Sequence, residues 1–196
     1  MCKQCETSPV YEFTNKRKLC KICFIKYFQK KSLYAIRKFR MMKTGDIIGY
    51  YDKKDFRSIV LKEILELFSK KSHIEIVRLP NGKANKIAVS FTLDLESDEI
   101  VKEIINKSSA DLKDVAPVKD NIIKPLYLFL DEEVLLYAKL RNLKFQKTKE
   151  RQTRSLKNRQ AVLKKDKITG FVNELEKKHP EIKRAIVNSY LKINRK

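Results

Sequence analysis

The chain has 196 residues, of which 42% are hydrophobic, which is enough for one main domain and one small module. Its 45 Lys and Arg against 24 Asp and Glu give a formal net charge of +21, which favours a polyanionic partner such as a nucleic acid. No run of about 18 apolar residues is present and the first residues are charged and cysteine-rich, so the sequence predicts neither a membrane span nor a signal peptide. We therefore expect a cytoplasmic protein.

All four cysteines lie near the N-terminus in two Cys-x2-Cys pairs, Cys2 with Cys5 and Cys20 with Cys23. This spacing is typical of zinc ribbons and rubredoxin knuckles, because each short turn directs two thiolates toward one point. The pattern predicts a structural zinc ion, since four thiolates leave no open coordination position. An iron–sulfur cluster, or thiols that are free or disulfide-bonded, are the alternatives.

A basic helix follows the cysteines. Apolar residues recur at helical spacing from Phe24 to about Met42, and Lys and Arg occupy the remaining face. These lysines either contact RNA or form the solvated face of a core helix. We interpret residues 1–25 as a zinc-binding knuckle, 26–44 as a basic connecting helix and 45–196 as an α/β domain. Candidate RNA contacts in the knuckle are Lys16, Arg17 and Lys18.

Strand and helix patterns alternate after residue 45. Predicted strands cover residues 47–51, 74–79 and 87–91, and residues 122–130 form an extended segment interrupted by Pro125. Predicted helices cover about 55–70, a segment from about Asp94, 131–141 capped by Asp131, 168–179 and 181–193. Residues 108–121 read as a loop. This alternation predicts a parallel sheet covered by helices on both faces.

A basic tract covers residues 147–167, where nine Lys and Arg accompany only Glu150 and Asp166. Such a segment is expected to be disordered or to become ordered on RNA. The candidate RNA contacts in it are Lys147, Lys149, Arg151, Arg154, Lys157 and Arg159.

Several stretches in order resemble the TtcA/TtuA-type tRNA thiolation proteins, which are PP-loop adenylating enzymes. The resembling segments are Leu19–Phe24, Met41–Asp46, Lys86–Glu96, Ile123–Leu126, Glu132–Ala138, Phe171–Pro180 and Ile186–Tyr190. The resemblance implies a Rossmann-like fold of the adenine nucleotide alpha hydrolase type, here in reduced form.

The nucleotide-binding loop of that family departs from its pattern here. The family has S-G-G-x-D-S after its first strand, with glycines that let backbone amides close around the ATP pyrophosphate. An ungapped comparison places six other residues there: Lys53, Lys54, Asp55, Phe56, Arg57 and Ser58. Residues with a Cβ atom disfavour the positive φ that such a loop can require, and Asp55 adds a negative charge. No cysteine follows Cys23 to carry sulfur or a cluster.

These departures predict a non-catalytic protein that binds zinc but neither ATP nor an iron–sulfur cluster. By resemblance it is the degenerate subunit of a wobble-uridine 2-thiolation complex, similar to the second protein of the eukaryotic cytosolic machinery. Its expected partners are tRNA and an active PP-loop thiolase, in a heterodimer. The alternatives are a free-standing zinc-ribbon protein that binds RNA or the ribosome, an enzyme still active through Lys53, Lys54 or Ser58, and a zinc scaffold without an RNA role.

Overall fold

The structure is a computed structural model, and it describes residues 1–105, 115–146 and 170–193. In these ranges the helices are α1 (Lys21–Lys38), α2 (Phe56–Ser69), α3 (Leu93–Ile105), α4 (Asp131–Leu140), α5 (170–178) and α6 (Ile182–Ile193). The strands there are β1 (Tyr11–Glu12), β2 (Lys18–Leu19), β3 (Ile47–Tyr50), β4 (Glu75–Arg78), β5 (Lys86–Ala88), β6 (Val118–Lys119) and β7 (Ile122–Ile123).

Contacts between residues divide the chain into two compact units. Of the described residues, 1–92 and 117–146 belong to the first unit, and 93–105, 115–116 and 170–193 belong to the second. The boundaries expected near residues 25 and 44 both fall inside the first unit, and they stay predictions.

The first unit is built on a five-stranded sheet with the order β4-β3-β5-β7-β6. The pairs β3–β4, β3–β5 and β5–β7 are parallel, whereas β6 pairs with β7 in the antiparallel direction. Hydrophobic β3 lies between two parallel neighbours, and its Ile48 is completely buried. The predicted α/β class is therefore confirmed, with one antiparallel edge strand added.

The β6–β7 hairpin corrects two expectations. The end of the predicted loop at 108–121 contains β6, and the extended segment expected at 122–130 ends as a strand at Ile123. Asp120 has a φ of 50°, a backbone region that Asp and Asn enter more readily than most residues. Pro125 has no N–H to continue the sheet, and residues 125–128 form turns instead. Residues 106–114 lie outside the described ranges.

Helix α1 connects the cysteine-rich segment to the core of the first unit. It begins at Lys21, three residues before the predicted start, and the Phe24 N–H donates to the Cys20 carbonyl at 2.8 Å. Completely buried Phe28 lies with its ring centroid 4.1 Å from that of Phe129 and 4.2 Å from that of Tyr137. Aromatic contacts of this kind add to the free energy of burial, so they fix α1 against α4.

Three helices form the second unit in the described ranges. Between them lies the nearly buried Lys183, whose Nζ is 2.8 Å from Asp94 Oδ1 on α3 and 2.7 Å from Glu176 Oε2 on α5. Burial acts to lower the Lys183 pKa, but hydrogen bonds to the two carboxylates outweigh it and hold that pKa above its ordinary value. Because α3 begins at Leu93, Asp94 lies in its first turn and anchors Lys183 rather than preceding the helix as a cap.

Candidate metal centre and nucleic-acid interface

The four cysteines lie together around the β1–β2 hairpin. Cys2 and Cys5 precede the hairpin, Cys20 and Cys23 follow it, and all four Sγ atoms lie within 4.8 Å of one another. The Sγ atom of Cys5 is 3.3 Å from that of Cys20 and 3.6 Å from that of Cys23. Four thiolates bound to one tetrahedral ion at about 2.3 Å would be about 3.8 Å apart. The four cysteines could therefore hold a single metal ion.

Main-chain hydrogen bonds shape the first cysteine turn. The Cys2 N–H donates to the Thr7 carbonyl at 2.9 Å, and the Glu6 N–H donates to the Cys2 carbonyl at 3.0 Å. The Lys3 N–H reaches the Lys18 carbonyl at 3.2 Å, which ties the turn to β2. The first cysteine pair is thereby held beside the strand that leads into the second pair.

The thiols of this cluster hold their protons unequally. A hydrogen bond from the Thr7 side chain is the main cause that lowers the pKa of Cys20 to about 6. Burial, followed by the neighbouring thiols, raises the pKa of Cys23 to about 12. A bound cation stabilises all four sulfurs as thiolates, because it offsets both the burial and the mutual repulsion.

Arg17, a candidate RNA contact, lies over two rings of the knuckle. Its guanidinium carbon is 4.4 Å from the centroid of the Phe13 ring and 4.9 Å from that of Tyr27. Stacking of this kind fixes the guanidinium and covers both rings. Arg17 therefore helps to hold the hairpin against α1.

The two lysines beside Arg17 are placed differently. Lys18 Nζ is 3.2 Å from Glu12 Oε2 across the hairpin, in a pair that is about half exposed. Lys16 is exposed at the hairpin turn, where its φ is 59°. Of the three candidates in the knuckle, Lys16 is the best placed to meet a polyanion.

The largest group of exposed cations in this segment lies on α1. Residues 1–44 contain 12 Lys and Arg against 2 Asp and Glu, a net charge of +10. The exposed residues of α1 are Lys21, Ile22, Lys26, Lys30, Tyr34, Arg37 and Lys38. Even four thiolates around a divalent ion would subtract only two charges, so the segment stays strongly positive.

The second group of predicted RNA contacts, Lys147, Lys149, Arg151, Arg154, Lys157 and Arg159, lies outside the described residues.

The sheet order indicates where a nucleotide would bind in a fold of this type. From β3 the chain goes to β4 on one side and then to β5 on the other, so the order reverses between β3 and β5. Ligands of open α/β sheets bind at the carboxyl ends of the strands at such a reversal. The crevice in this chain is bordered by residues 51–58 after β3 and 89–92 after β5.

Residues 53–58, aligned with the family's nucleotide loop, form the entry to α2. Asp55 is the N-cap, and its carboxylate accepts a hydrogen bond from the Ser58 N–H at 2.8 Å. The Ser58 hydroxyl is buried and donates to the Asp55 carbonyl at 3.0 Å. Although its side chain has a Cβ atom, Lys54 does adopt a positive φ of 58°, and its carbonyl accepts from the Gln146 N–H at 2.8 Å. The loop therefore adopts the left-handed backbone conformation at Lys54 without a glycine.

Arg57, in the first turn of α2, is joined to α4 across the same crevice. Its guanidinium donates two hydrogen bonds to the Asp131 carboxylate, one of them 2.7 Å long from Nε. The buried Thr92 hydroxyl donates to the same carboxylate at 2.7 Å. Asp131 does not cap α4 as the sequence predicts. Leu130 is the N-cap, and the Asp131 carboxylate accepts from Arg57 and Thr92 instead.

Sequence reasoning missed the Arg57–Asp131 pair and the exposed ring of Tyr34. Arg57 and Asp131 are separated by 74 positions, and no local pattern links them. Tyr34 had a weak signal, because it follows Lys26 and Lys30 at successive four-residue steps and therefore shares their face of the helix.

No helix within the described ranges is both long and apolar enough to span a membrane. No protein-family model matches the chain, and no curated protein matches it either. Among solved structures, the chain is similar to the U34-tRNA thiolase NcsA from Methanococcus maripaludis, described with its [4Fe-4S] cluster. The TM-score is 0.73 at 17% sequence identity, over 98% of this chain and 86% of that one. At this identity the likeness shows a shared fold: the chain has the α/β fold of a PP-loop tRNA thiolase.

Proposed function

We propose that the chain is a non-catalytic, RNA-binding subunit in cytoplasmic tRNA thiolation, where it holds tRNA beside an active PP-loop thiolase. One observation carries the proposal: at the β3–β5 crevice the N-terminus of α2 and the Arg57 guanidinium are engaged by the chain's own carboxylates. The thiolase fold suggests the process, and the net charge suggests the kind of partner.

The N-terminus of α2 argues against nucleotide binding. A helix N-terminus binds phosphate through its free N–H groups and its positive dipole end. In this chain the Asp55 carboxylate already accepts from Ser58 and brings its own negative charge to that end. An ATP phosphate would meet repulsion where the dipole should attract it.

Arg57 is the second group at the crevice that could bind a phosphate, and it is already bound to a carboxylate. Its guanidinium is bound through two nitrogens to Asp131, the geometry in which Arg binds carboxylates most strongly. A phosphate would have to displace that carboxylate, which Thr92 also holds. The Asp131 carboxylate thus occupies the guanidinium that a phosphate would use.

The chain also lacks the additional cysteines that sulfur transfer would need. All four cysteines belong to the N-terminal cluster, so no thiol is left near the crevice to carry sulfur or bind a second cluster. By resemblance, the active partner would supply the nucleotide site and the sulfur-transfer residues.

Zinc is the metal that we assign to the cysteine cluster. The sulfurs that bind a four-iron cluster lie outside the cube of irons and sulfides, so they stand much farther apart than those around one ion. Sulfurs that all lie within 4.8 Å of one another favour a single tetrahedral ion over a four-iron cluster. When bound, the ion would cross-link the two cysteine pairs and fold the knuckle.

Affinity purification from the native cytoplasm tests the proposal, with mass spectrometry of bound protein and sequencing of bound RNA. We expect a PP-loop thiolase at stoichiometric level together with tRNA. RNA recovered reproducibly without a thiolase would support a free-standing RNA- or ribosome-associated protein instead. If neither RNA nor a thiolase is recovered, the chain is a zinc scaffold without an RNA role.

A further inference from the structure

We propose that the exposed face of α1 binds unpaired RNA nucleotides, with Tyr34 stacking on a base while Lys26 and Lys30 hold neighbouring phosphates. This inference rests on the proposed function only in taking RNA as the polyanion. It locates the contact in the part of the chain beside the cysteine cluster and names the form of RNA that fits there.

A shallow groove of about 380 Å³ runs along this face. It is lined by Gln4, Lys26, Tyr27, Lys30, Lys31 and Tyr34. Gln4 lies between Cys2 and Cys5, so the first cysteine turn forms one wall of the groove and α1 forms the floor. A metal bound by the cysteines would therefore also fix the wall.

Two lysines of the groove are available for a ligand. Lys26 and Lys30 are exposed, and neither forms an ion pair within the described residues. Lys31 differs from them, because its Nζ is 3.8 Å from the buried Glu133 carboxylate and 4.6 Å from the centroid of the Phe129 ring. Lys31 joins α1 to α4, whereas the other two offer charge to the solvent.

Tyr34 gives the face a flat aromatic surface. It is 55% exposed, although Tyr is usually at least half covered in folded proteins, and the Lys38 Nζ lies 5.5 Å from its ring centroid. Residues 26, 30 and 34 follow one another about 6 Å apart along the helix axis. Exposed aromatic rings between cations are the usual surface for single-stranded nucleic acid, because bases stack on the ring while the cations follow the backbone.

An unpaired strand fits this arrangement better than a duplex. Bases of a double helix are stacked on one another and are not free to stack on an exposed side chain. An acidic protein segment would satisfy the lysines but would leave the face of Tyr34 without a planar partner. The groove therefore favours a loop or an unpaired end of an RNA.

Fluorescence anisotropy with the full-length, metal-loaded chain tests the stacking. An unstructured RNA oligonucleotide and a duplex of the same sequence are the two probes. We expect Tyr34→Leu to weaken binding of the single strand about tenfold and to leave the duplex unchanged, while Tyr34→Phe keeps the wild-type affinity. Tyr51→Leu is the matched control, because Tyr51 is 51% exposed but follows β3 in the chain and is not part of α1 or of the groove lining.

Salt titrations test the phosphate contacts. The double variant Lys26→Gln/Lys30→Gln should lower the slope of log affinity against log salt by about 1.4, since each phosphate contact to a single strand contributes about 0.7. Lys70→Gln/Lys71→Gln removes the same charge from two exposed lysines at the end of α2 and should change the slope less.

Three results would overturn the inference. If the wild-type chain binds RNA but Tyr34→Leu and Tyr51→Leu are equally close to wild type, no base stacks on Tyr34, and the proposed function survives. If both lysine pairs lower the slope equally, the charge acts as a diffuse field. A wild-type chain that binds no RNA overturns the inference and the proposed function together. Metal content and thermal melting of each variant show that it is folded.

Discussion

The N-termini of α1 and α2 lie in the same unit, and each is adjacent to lysines and arginines. Cys20 caps α1 without a side-chain hydrogen bond, and the first turn of α1 contains no acidic residue. Asp55 caps α2 through a carboxylate that bonds to Ser58. The positive end of α1 thus faces four sulfurs that become anionic with a metal, whereas the positive end of α2 faces a carboxylate of the chain itself.

This difference decides where positive charge is available. The cysteine cluster lies at the N-terminus of α1, but Lys26, Lys30 and Arg37 are exposed farther along the helix. At the start of α2 the Arg57 guanidinium is bound to Asp131, and the exposed cations there are Lys53 and Lys54, which lie beside the Asp55 carboxylate in the chain. Helix α1 contains six Lys and Arg and no acidic residue, whereas α2 contains two of each sign, so the two helices offer very different surfaces to a polyanion.

The largest effect is expected from removing a ligand at the α1 end. Cys20→Ser leaves three thiolates around the metal and should lower the free energy of unfolding by on the order of 5 kcal/mol or more, because metal affinity is folding free energy in such modules. Elemental analysis should find one zinc per wild-type chain and little in the variant, and chemical denaturation measures the loss.

Thr7→Val is the control for that variant. It removes the hydroxyl 3.2 Å from the Cys5 sulfur but leaves all four ligands, so the zinc content should stay at one. Iron in place of zinc in the wild-type chain would contradict the assignment of the metal.

A second prediction concerns the packing that connects α1 to the sheet domain. Phe28→Ala should destabilise the protein by about 3–5 kcal/mol, since it removes a completely buried ring and its contacts with Phe129 and Tyr137. Tyr34→Ala, on the exposed face of the same helix, should cost less than about 0.5 kcal/mol in urea unfolding. Equal losses for the two variants would mean that the buried and exposed faces of α1 are misassigned.

A smaller effect is expected at the α2 end. Asp55→Ala should cost about 1 kcal/mol, because the Ser58 N–H loses its acceptor. Asp55→Ser retains an N-cap oxygen without the charge, so thermal melting should place it within a few tenths of a kcal/mol of the wild type. If the serine variant were as unstable as the alanine variant, the charge of Asp55 rather than its hydrogen bond would stabilise α2.

The smallest effect comes from an ion pair outside both helix ends. Asp46 lies 2.8 Å from the Lys86 Nζ, and although burial opposes it, the hydrogen bonds from Lys86 and Lys43 hold the Asp46 pKa below its ordinary value of about 3.9. The folded state therefore binds this proton less readily than the unfolded state. The stabilisation that ionised Asp46 gives the folded state is fully present above pH of about 4, and it is lost as pH falls through the folded pKa.

The measurement for this pair is stability as a function of pH. We expect Asp46→Asn to flatten the acid side of the curve by no more than about 1 kcal/mol, because the pair is partly open to solvent. A wild-type chain that gains stability below pH of about 4 through Asp46 would contradict the direction of the shift.

Local patterns in the sequence predicted most of the fold. The spacing of the cysteines indicated one cluster, and hydrophobic periodicity located β3, α2 and α6 to within a residue or two. The β6–β7 hairpin was missed because each strand has only two residues, too few to show alternation, although Asp120 and Asn121 are favourable turn residues.

The contacts at the start of α2 could be predicted only in part. Loss of the glycines from residues 53–58 was visible, but the role of Asp55 as a cap depended on where α2 begins. The Arg57–Asp131 pair depends on the tertiary fold, which brings α2 and α4 together at the carboxyl edge of the sheet. A glycine count alone would have given an incomplete reason, because Lys54 reaches positive φ without one.

Isothermal titration of the purified, metal-loaded chain with ATP and magnesium tests most directly whether the α2 end is closed. We expect no binding in the micromolar range, for the wild type and for Lys53→Ala/Lys54→Ala alike. Micromolar binding by the wild type, abolished in the double lysine variant, would show an open nucleotide site and would contradict the assignment of a non-catalytic role.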